Sequence, residues 1–594
     1  MNMNGHVPPS TTNRRFGAAV AVGAAIWVAC AAGCTRDRML ARIDTQVDTL
    51  IREEQRQALG ARAQTDSAAV PDTTQQVNGY TDAIVRTELP TPNPPASKLP
   101  VERREPAPVD ENQPPRMLDH DAPSALALNL QGVLAFAIEH SREYRNEKEG
   151  LFLAAIGVLV ERHMYSPRFF NTTTVEFSGT PERGDHDQVF DIINDLGVTQ
   201  RLPYGGTITA TATVNFVEML RTTSDATAEG DRQSGELALT TSIPLLRGAG
   251  YVSREPLIQA ERELIYAARE FERFRRSFFV NIATDYFDLV QQQSRIHNAD
   301  RQYRSLLNLA SRFEALADAG RQAYFEAEEA QQRALQARSD LVAAKEQYAS
   351  SLDFFKVRLG VTPQQVLAVE QSEVVIPEPD LVMMTAVARS HEYRLDLQTQ
   401  SDRVDDGRRG VANAQNALLP DADFNVTANL PTTSQKKHAG FDLNAGEGSY
   451  TAGVTLGAPL DRRIERLQLR STMIDLERLH RSYTLLRDQI TQSVRRAVRR
   501  IERARFDLHL QTRRVEFAKR QLTGAKLRER SQGINRVIDA EDALTNAENE
   551  RDRALRDLRV NILQYLLETG QMRITTQGRW LPPAKLMNIP SDEQ

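Results

Sequence analysis

The sequence predicts a mainly α-helical protein with membrane β segments, built from a duplicated unit of helix, β-hairpin and long helix. Two stretches with helical periodicity, Leu257–Ala319 and Glu465–Thr523, contain neither Gly nor Pro. At about 1.5 Å per residue, these stretches predict helices on the order of 95–100 Å long, the second running from about Ile464 to Ser531. A segment with strand-like alternation precedes each helix. The same order of elements, with matching Pro and Gly positions, occurs twice along the chain.

The second long stretch carries an apolar seam in alternating steps of four and three residues, which is typical of coiled-coil packing. Gln511 alone interrupts the seam between Ile490 and Ala525, and Ala497, Ala504 and Ala518 are among its small members. The larger seam residues, which we expect to be buried between helices, are Ile490, Val494, Ile501, Leu508, Val515 and Leu522.

Bulk composition argues against several classes of function. The 594 residues carry a net charge of −5, which indicates no nucleic-acid partner. The two cysteines, Cys30 and Cys34, lie near the N-terminus, so the rest of the chain has no disulfide framework and no thiol ligand or nucleophile. The sequence contains no HExxH, no G-x-S-x-G and no phosphate-binding Gly-rich loop. We therefore expect no enzyme activity, no cofactor and no metal site.

Two acidic pairs and one basic run have simple structural interpretations. Adjacent carboxylates such as Glu328-Glu329 and Glu541-Asp542 do not share a helix face, so we expect them on solvated helix surface. The arginine-rich run 495–505 is interleaved with acidic residues, and the following helix is acid-rich. These features predict charge pairing between neighbouring helices rather than nucleic-acid or lipid binding.

The N-terminus predicts export. Arg14-Arg15 precedes the uncharged apolar run Phe16–Gly33, a pattern typical of a signal peptide over residues 1–33. A retained membrane anchor is the alternative, because 18 residues are barely enough to span a bilayer. The sequence Ala31-Ala32-Gly33-Cys34 resembles the lipobox of bacterial lipoproteins. That resemblance implies a signal peptide cleaved before Cys34, acylation of Cys34 (palmitate among the chains) and sorting to the outer membrane.

Residues 34–123 are predicted to form a lipid-anchored, Pro-rich linker. Eleven prolines occur between Pro71 and Pro123, a composition that favours extended or disordered chain rather than a packed core. A short amphipathic helix is possible between Asp37 and Arg62.

The first repeat is predicted over residues 124–365. A helix over Ala125–Ser166 ends before Pro167, and strand-like runs follow at Thr172–Phe177, Thr207–Phe216 and Glu236–Ile243, within a β segment of about 168–246. The long helix then turns at Gly320 and returns to Leu359-Gly360. An even number of membrane crossings is required because the chain enters and leaves on one side. We count two crossings in each repeat and interpret the additional run as an external loop or extended hairpin.

The second repeat is predicted over residues 366–575, followed by a C-terminal tail over 576–594. Residues 389–394 echo residues 140–145, and the β segment of about 421–460 contains strand-like runs at Phe424–Leu430 and Ser449–Leu456. The long helix turns at Gly533 and returns to Gly570. Residues 320–330 align with residues 533–543 at a constant offset of 213, which supports an internal duplication.

The strand-like runs suit a wall with one apolar and one polar face. Their polar residues are mostly Thr, Asn and Ser rather than Lys or Glu, as in membrane barrels. The roughly four strands of one chain are too few to close a barrel, and an open strand edge cannot face lipid. If the strands span a membrane, several copies must therefore share one barrel.

The ordered set of motifs resembles the TolC family of outer-membrane efflux proteins. The residues that carry this resemblance are Pro244–Gly248 and Pro459–Asp461 before the long helices, and Val537–Glu541 after the second turn. The resemblance implies a homotrimer with a 12-strand β-barrel continued by a coiled-coil helical tunnel. It also implies an outer-membrane exit duct that docks on a periplasmic adaptor (membrane fusion) protein and on an inner-membrane pump of the RND or ABC type.

The turns are the candidate periplasmic aperture: Gly320 and Arg321 in the first repeat, and Gly533, Arg536 and Asp539 in the second. Glycine permits a tight reversal of the chain, and in the family carboxylates just after the second turn ring the narrowest point. Asp539 matches one such carboxylate, whereas Arg536 replaces the other. An Arg–Asp surface pair without a role in gating is the alternative.

A different class of function also fits part of the sequence. A lipid-anchored periplasmic coiled-coil scaffold without a channel would explain the long helices and Cys34. It would not explain strand segments inserted at equivalent points of both repeats.

Overall fold

The computed structural model describes residues 36–59, 126–182, 185–221, 232–371, 376, 379–433, 442–528, 534–575 and 580–581. The helices of this part of the chain are α1 Arg36–Leu59, α2 Leu130–His140, α3 Arg142–Met164, α4 Tyr251–Asp318, α5 Tyr324–Leu359, α6 Met383–Tyr393, α7 Leu395–Asn416, α8 Arg463–Leu527 and α9 Asn535–Glu568. The strands are β1 Leu126–Leu128, β2 Arg168–Glu182, β3 Asp185–Arg201, β4 Thr207–Arg221, β5 Arg232–Pro244, β6 Leu367–Val369, β7 Asp421–Pro431, β8 Ser449–Gly457, β9 Arg573–Ile574 and β10 Trp580–Leu581.

The mainly α-helical fold class and its duplicated unit are confirmed. The two long helices, α4 and α8, contain 68 and 65 residues, which corresponds to about 100 Å each. Each follows a β segment and precedes a turn and a shorter return helix. Short helix pairs, α2–α3 and α6–α7, open the two repeats.

The shorter helices lie along successive halves of the long helices. Near its N-terminus α4 packs Leu264 and Ala268 against α3, and nearer its C-terminus it packs Leu306 and Phe313 against α5. In the second repeat, α7 lies against the first part of α8, where a Cβ on Gly407 would contact Leu476 and Leu479. Val515 and Leu522 of α8 pack against α9. The two shorter stretches of helix in each repeat therefore lie one after the other along its long helix.

The first part of the predicted linker is a helix that packs onto the body. In α1, Val47, Leu50 and Ile51 are buried against α3 and the beginning of α4. Helix α1 thus covers apolar side chains of the first repeat. Residues 60–123, the signal segment 1–33 and Cys34 lie outside the described residues.

Among the described residues, the structure contains no helix that combines the length and apolar character needed to span a bilayer.

The β segments of both repeats form one antiparallel meander in the order β2-β3-β4-β5-β7-β8. The first repeat contributes four of these strands and the second contributes two. The first repeat thus has one strand more than the three strand-like runs in its sequence. The missed strand is β3. Its alternation is obscured because Val189 and Ile193 share a face with Asp191 and Asp195.

The turn between β3 and β4 lies at the helical end of the sheet. Within it, the Leu202 N–H donates to the Gly206 carbonyl at 3.0 Å. The turn is fixed to the beginning of α4, because the Gly250 N–H donates to the Tyr204 carbonyl at 2.9 Å. The Ser253 hydroxyl donates to the Pro203 carbonyl at 3.2 Å. Strand β3 therefore returns fully to the helices before β4 leaves them.

We expect Gly206→Ala to destabilise the β3–β4 turn. Gly206 has a φ of +86°, and an added Cβ would lie 2.0 Å from the Ser242 carbonyl oxygen. A strained backbone of this kind costs about 1–3 kcal/mol before any steric clash is counted. The measurement is the thermal midpoint of the purified protein. Gly453→Ala in β8 is the matched control, because a Cβ there has open space; equal midpoints for the two variants would contradict the assignment.

Candidate channel wall and aperture

The six-stranded sheet has an apolar face and a polar face. The register of the strand pairs places alternate residues of neighbouring strands on the same side. The apolar face comprises Phe169, Val175, Phe177, Ile192, Leu196, Val198, Ile208, Val214, Phe216, Leu237, Leu239, Phe424, Val426, Leu430, Val454 and Leu456. Several of its members are exposed in the single chain, such as Phe169 at 83% and Leu456 at 76%. An apolar face of this size at the surface of a chain indicates contact with lipid or protein.

Aromatic residues lie near both ends of the apolar face. Phe169 is the second residue of β2, and Phe177 lies eight residues further along the same strand, opposite Phe190. Eight residues of a strand tilted by about 40° rise roughly 20 Å. That separation approaches the height of the apolar band between the aromatic girdles of membrane barrels, about 25 Å.

The polar face carries a continuous row of hydroxyl groups. One register line crosses five successive strands and consists of Thr199, Thr209, Thr240, Thr427 and Thr451. The hydroxyls of Thr199 and Thr209 lie 3.1 Å apart and share a hydrogen bond. Neutral hydroxyls are hydrated without holding a charged solute, so this row suits the wall of an aqueous passage. Sequence reasoning missed the row because its threonines align only through the register.

Carboxylates occupy the polar face beyond the threonine row. Asp191 lies opposite Glu176, and Asp195 lies opposite Thr213, whose hydroxyl donates to Asp195 Oδ1 at 2.6 Å. Glu236 lies on the other side of Thr213. Like charges directly opposite one another destabilise a sheet, so these groups favour contact with water and cations.

The predicted aperture residues lie at the end of the helical body that is farthest from the sheet. Gly320 has a φ of +68°, and the Arg321 N–H donates to the Leu316 carbonyl at 2.9 Å, which closes the end of α4. Ile534 and Ile538 pack against the ends of α4 and α5. The structure thus brings the first turn and the beginning of α9 together. Gly533 lies outside the described residues.

Arg536 and Asp539 are both exposed on the first turns of α9. Among the described residues, no ion pair joins them. The charge of Asp539 affects instead the pKa of Asp542, one helical turn further along α9. Burial raises the pKa of the Asp542 carboxyl; Gln302 and Arg333 oppose that rise, and the Asp539 charge adds to it. An exposed carboxylate without an ion-pair partner is free to face a passage or a docked protein.

If Asp539 lines an aperture, Asp539→Ala should lower the preference for cations in planar-bilayer conductance and weaken block by multivalent cations. Several copies of one carboxylate around an axis reinforce each other's field. Arg536→Ala removes a positive charge one turn away and should raise conductance. Parent-like selectivity and conductance in both variants would place the narrowest point elsewhere.

The seam residues face the interior of the helical body. Ile490, Val494, Ile501, Val515 and Leu522 are buried. Leu508 is half-buried and packs against the main core cluster.

Two buried carboxylates of α9 fix it to its neighbours. The expectation that Glu541 lies on solvated surface is wrong. Glu541 is 5% exposed, and its Oε1 forms an ion pair with Lys526 Nζ at 2.8 Å. Glu548 is also buried, and it pairs with Arg301 of α4 and with Lys519 of α8. Glu541 and Glu548 are seven residues apart, a spacing that places both on one side of α9. This spacing is the signal in the sequence that could have identified them as a pair.

A cavity of about 650 Å³ lies between α4, α7 and α8, at the level where α7 begins. Its lining includes Arg269, Arg394 and Asp396. Arg269 pairs with Asp402 at 2.6 Å, and Arg394 pairs with Asp396 and with Glu568, at 2.6 Å each. The charges of Arg269 and Arg394 are therefore already neutralised by carboxylates of the neighbouring helices.

No protein-family model matches the sequence, and no curated protein matches it either. Solved structures do match. The outer membrane protein VceC of Vibrio cholerae is 15% identical with a TM-score of 0.57, and the match covers 74% of this chain and 96% of that one. The CmeC outer membrane channel of Campylobacter jejuni is 13% identical with a TM-score of 0.57, over 77% of this chain and 88% of that one.

A third match is the MtrE outer membrane channel of Neisseria gonorrhoeae in its open state. It is 13% identical with a TM-score of 0.55, and the match covers 74% of this chain and 88% of that one. The chain therefore has the fold of TolC-like outer-membrane channels, with a β domain joined to a long helical body.

Proposed function

We propose that this chain forms, as a homotrimer, the outer-membrane exit duct of a tripartite efflux or secretion system. One observation carries the proposal: a sheet with one apolar and one polar face continues directly into helices of about 100 Å. Such a sheet matches the wall of a membrane barrel, and helices of that length can reach far into the periplasm. The fold likeness to outer-membrane channels supports the same function.

Assembly from several copies is supported by apolar residues that α8 leaves uncovered. Phe506, Leu510 and Phe517 lie on one side of α8 and are 66%, 44% and 60% exposed in the single chain. Large exposed apolar side chains in a row mark an interaction surface. In a trimer, this surface would contact a neighbouring copy and complete the tunnel wall.

The partners follow from the position of the turns. The turn between α4 and α5 and the beginning of α9 lie at the end of the body that points away from the membrane sheet. A periplasmic adaptor would dock at this end, and an inner-membrane pump of the RND or ABC type would deliver substrates through it. The channel itself passes them to the exterior without chemical change.

The scaffold without a channel is the alternative, and it gives no role to the two-faced sheet. Two measurements separate the two functions. The exit duct should migrate as a heat-resistant trimer and produce stepwise conductance in planar bilayers. A monomeric or conductance-free protein that still anchors to membranes would support the scaffold.

We also propose that Cys34 is the acylated N-terminal residue of the mature protein, so that lipid and sheet attach the chain to the same membrane. Mass spectrometry of the mature N-terminus is the test. We expect a diacylglyceryl group with a further acyl chain on Cys34; an unmodified cysteine, or retention of residues 1–33, would contradict lipidation.

A further inference from the structure

We propose that each chain contributes six membrane strands, that β2 pairs with β8 of a second copy, and that three copies close an eighteen-stranded barrel. This inference rests on the proposed trimer and extends it, because the resemblance alone implies twelve strands. A twelve-stranded barrel has room for four strands of each chain, so one hairpin, β2–β3 or β3–β4, would stand outside its wall.

The hairpin β3–β4 is long enough to cross a membrane. The two strands contain 17 and 15 residues, whereas a tilted transmembrane strand needs about 9–11. Their pairing extends from Arg201 and Thr207 at the turn to Gln188 and Arg221 at the far end. The turn Leu202–Gly206 is fixed to the beginning of α4. The hairpin therefore extends along the whole height of the sheet from its helical end.

The same hairpin continues both faces of the sheet. On the apolar side, Leu196 of β3 lies opposite Ala212 of β4. On the polar side, the Thr199–Thr209 pair lies in the threonine row that continues through β5 and β7 to β8. A hairpin standing outside the barrel would expose its polar face to lipid. A position within the wall leaves the apolar face toward lipid and the polar face toward water.

The two edges of the sheet fit each other. Among the described strands, β2 and β8 each have a neighbour on one side alone. With six antiparallel strands in one meander, β2 and β8 run in opposite directions. An open strand edge is not tolerated in lipid, and β8 of one copy can complete an antiparallel ladder with β2 of the next. Each closure repeats the same pair of edges, as a rotationally symmetric ring requires.

Six strands from each of three copies give a wider exit than the resemblance implies. Strands about 4.8 Å apart and tilted by about 40° give a backbone diameter of roughly 36 Å for eighteen strands and roughly 24 Å for twelve. Membrane barrels of 16–18 strands enclose an aqueous channel. The outer portal of this duct would accordingly admit bulky hydrated solutes, with hydroxyl groups along its wall.

Disulfide trapping between cysteines on the polar face tests the closure. One set of variants combines Thr172→Cys in β2 with Thr451→Cys, Gly453→Cys or Thr455→Cys in β8, which covers the possible registers. The matched set replaces the β2 cysteine with Thr211→Cys in β4. The single-cysteine variants control for crosslinks that involve Cys30 or Cys34. The readout is the covalent species in denaturing gels after mild oxidation of the full chain in membranes.

Eighteen-strand closure predicts covalent trimers in the β2–β8 set and none in the β4–β8 set. A twelve-strand barrel that leaves β2–β3 outside the wall would give the reverse result. One that leaves β3–β4 outside would also trap β2–β8 trimers, but it would bring β2 beside β5 and crosslink Thr172→Cys with Thr240→Cys within a chain, two positions that lie three strands apart in the eighteen-stranded barrel. Either result would overturn the inference while leaving the trimeric duct intact. Covalent dimers as the largest species would overturn both the eighteen strands and the trimer. An absence of crosslinks in every variant would overturn the β2–β8 closure, and conductance of the same preparations would show whether the duct itself still forms.

Discussion

Ile501→Asp is expected to abolish assembly of the helical tunnel. Ile501 has no exposed surface, and it belongs to the main core cluster, where α8 meets α9 and the beginning of the second repeat. The substitution removes about 2–3 kcal/mol of apolar burial and places a carboxylate in a fully buried position of the hydrophobic core. Burial of an unpaired charge adds several kcal/mol. The sum approaches the whole stability of a typical domain.

The yield of heat-resistant trimer in membranes measures this effect. Ile501→Val keeps an apolar side chain and should cost about 0.5–1.5 kcal/mol. Arg499→Ala changes an exposed neighbour on the same helix and should be mild. Leu508→Asp should be less severe than Ile501→Asp, because Leu508 is half-buried. If Ile501→Asp and Arg499→Ala gave equal trimer yields, the seam would not be the packing surface of the assembled protein.

The helical part of the fold could be predicted because its signals are local. A seam with steps of three and four residues, unbroken by Gly or Pro, identifies α8 and its buried side without any knowledge of its neighbours. The duplication identified the other helices, since Gly and Pro stand at matching positions in the two repeats. The lengths of α4 and α8 follow directly from the positions of these Gly and Pro residues.

The sheet was only partly predictable, because its signals are not local. Strand β3 breaks the alternation at Val189 and Ile193, which the polar face accommodates beside Asp191 and Asp195. The threonine row exists only after six strands are aligned in register. Buried carboxylates posed a similar difficulty: Glu541 and Asp542 are adjacent in sequence, and the ion-pair partner of Glu541 is Lys526 of another helix.

The repeated motif at residues 140–145 and 389–394 illustrates the limit of internal comparison. Arg145 and Arg394 occupy equivalent positions in the two copies. Arg145 donates to the Glu139 carbonyl at 2.8 Å, whereas Arg394 joins two carboxylates from different helices. The sequence relates the two positions, and the tertiary packing around each gives them different roles.

Arg394→Ala is expected to cause the second large loss of stability. Arg394 donates to both oxygens of Asp396, at 3.0 and 2.6 Å, and to Glu568 at 2.6 Å. The side chains of Arg394 and Asp396 are 15% and 12% exposed, so water replaces the lost bonds poorly. Removal of one partner of a buried pair costs about 3–5 kcal/mol. Arg394→Lys should recover part of this loss, because an ammonium group cannot reproduce the two parallel hydrogen bonds of a guanidinium.

The pH dependence of the Arg394→Ala effect distinguishes a charge pair from simple packing. Burial alone would raise the pKa of Asp396, but the hydrogen bonds and charge of Arg394, helped by Arg273 and by the Leu397 N–H, hold that pKa below its usual value. A carboxyl with a lowered pKa stabilises the folded state fully above its unfolded pKa, about 3.9, and loses that contribution as the pH falls through the lower folded value.

The difference in thermal midpoint between the parent and Arg394→Ala should therefore be constant from about pH 7 to pH 5 and shrink below about pH 4. Arg408→Ala in α7, the helix that Arg394 precedes, is the matched control, because Arg408 and Asp405 form an exposed pair worth at most about 1 kcal/mol. A midpoint difference for Arg394→Ala that is as small as that of Arg408→Ala, or that does not change with acidification, would mean that Arg394 contributes through its hydrocarbon chain rather than through its charge.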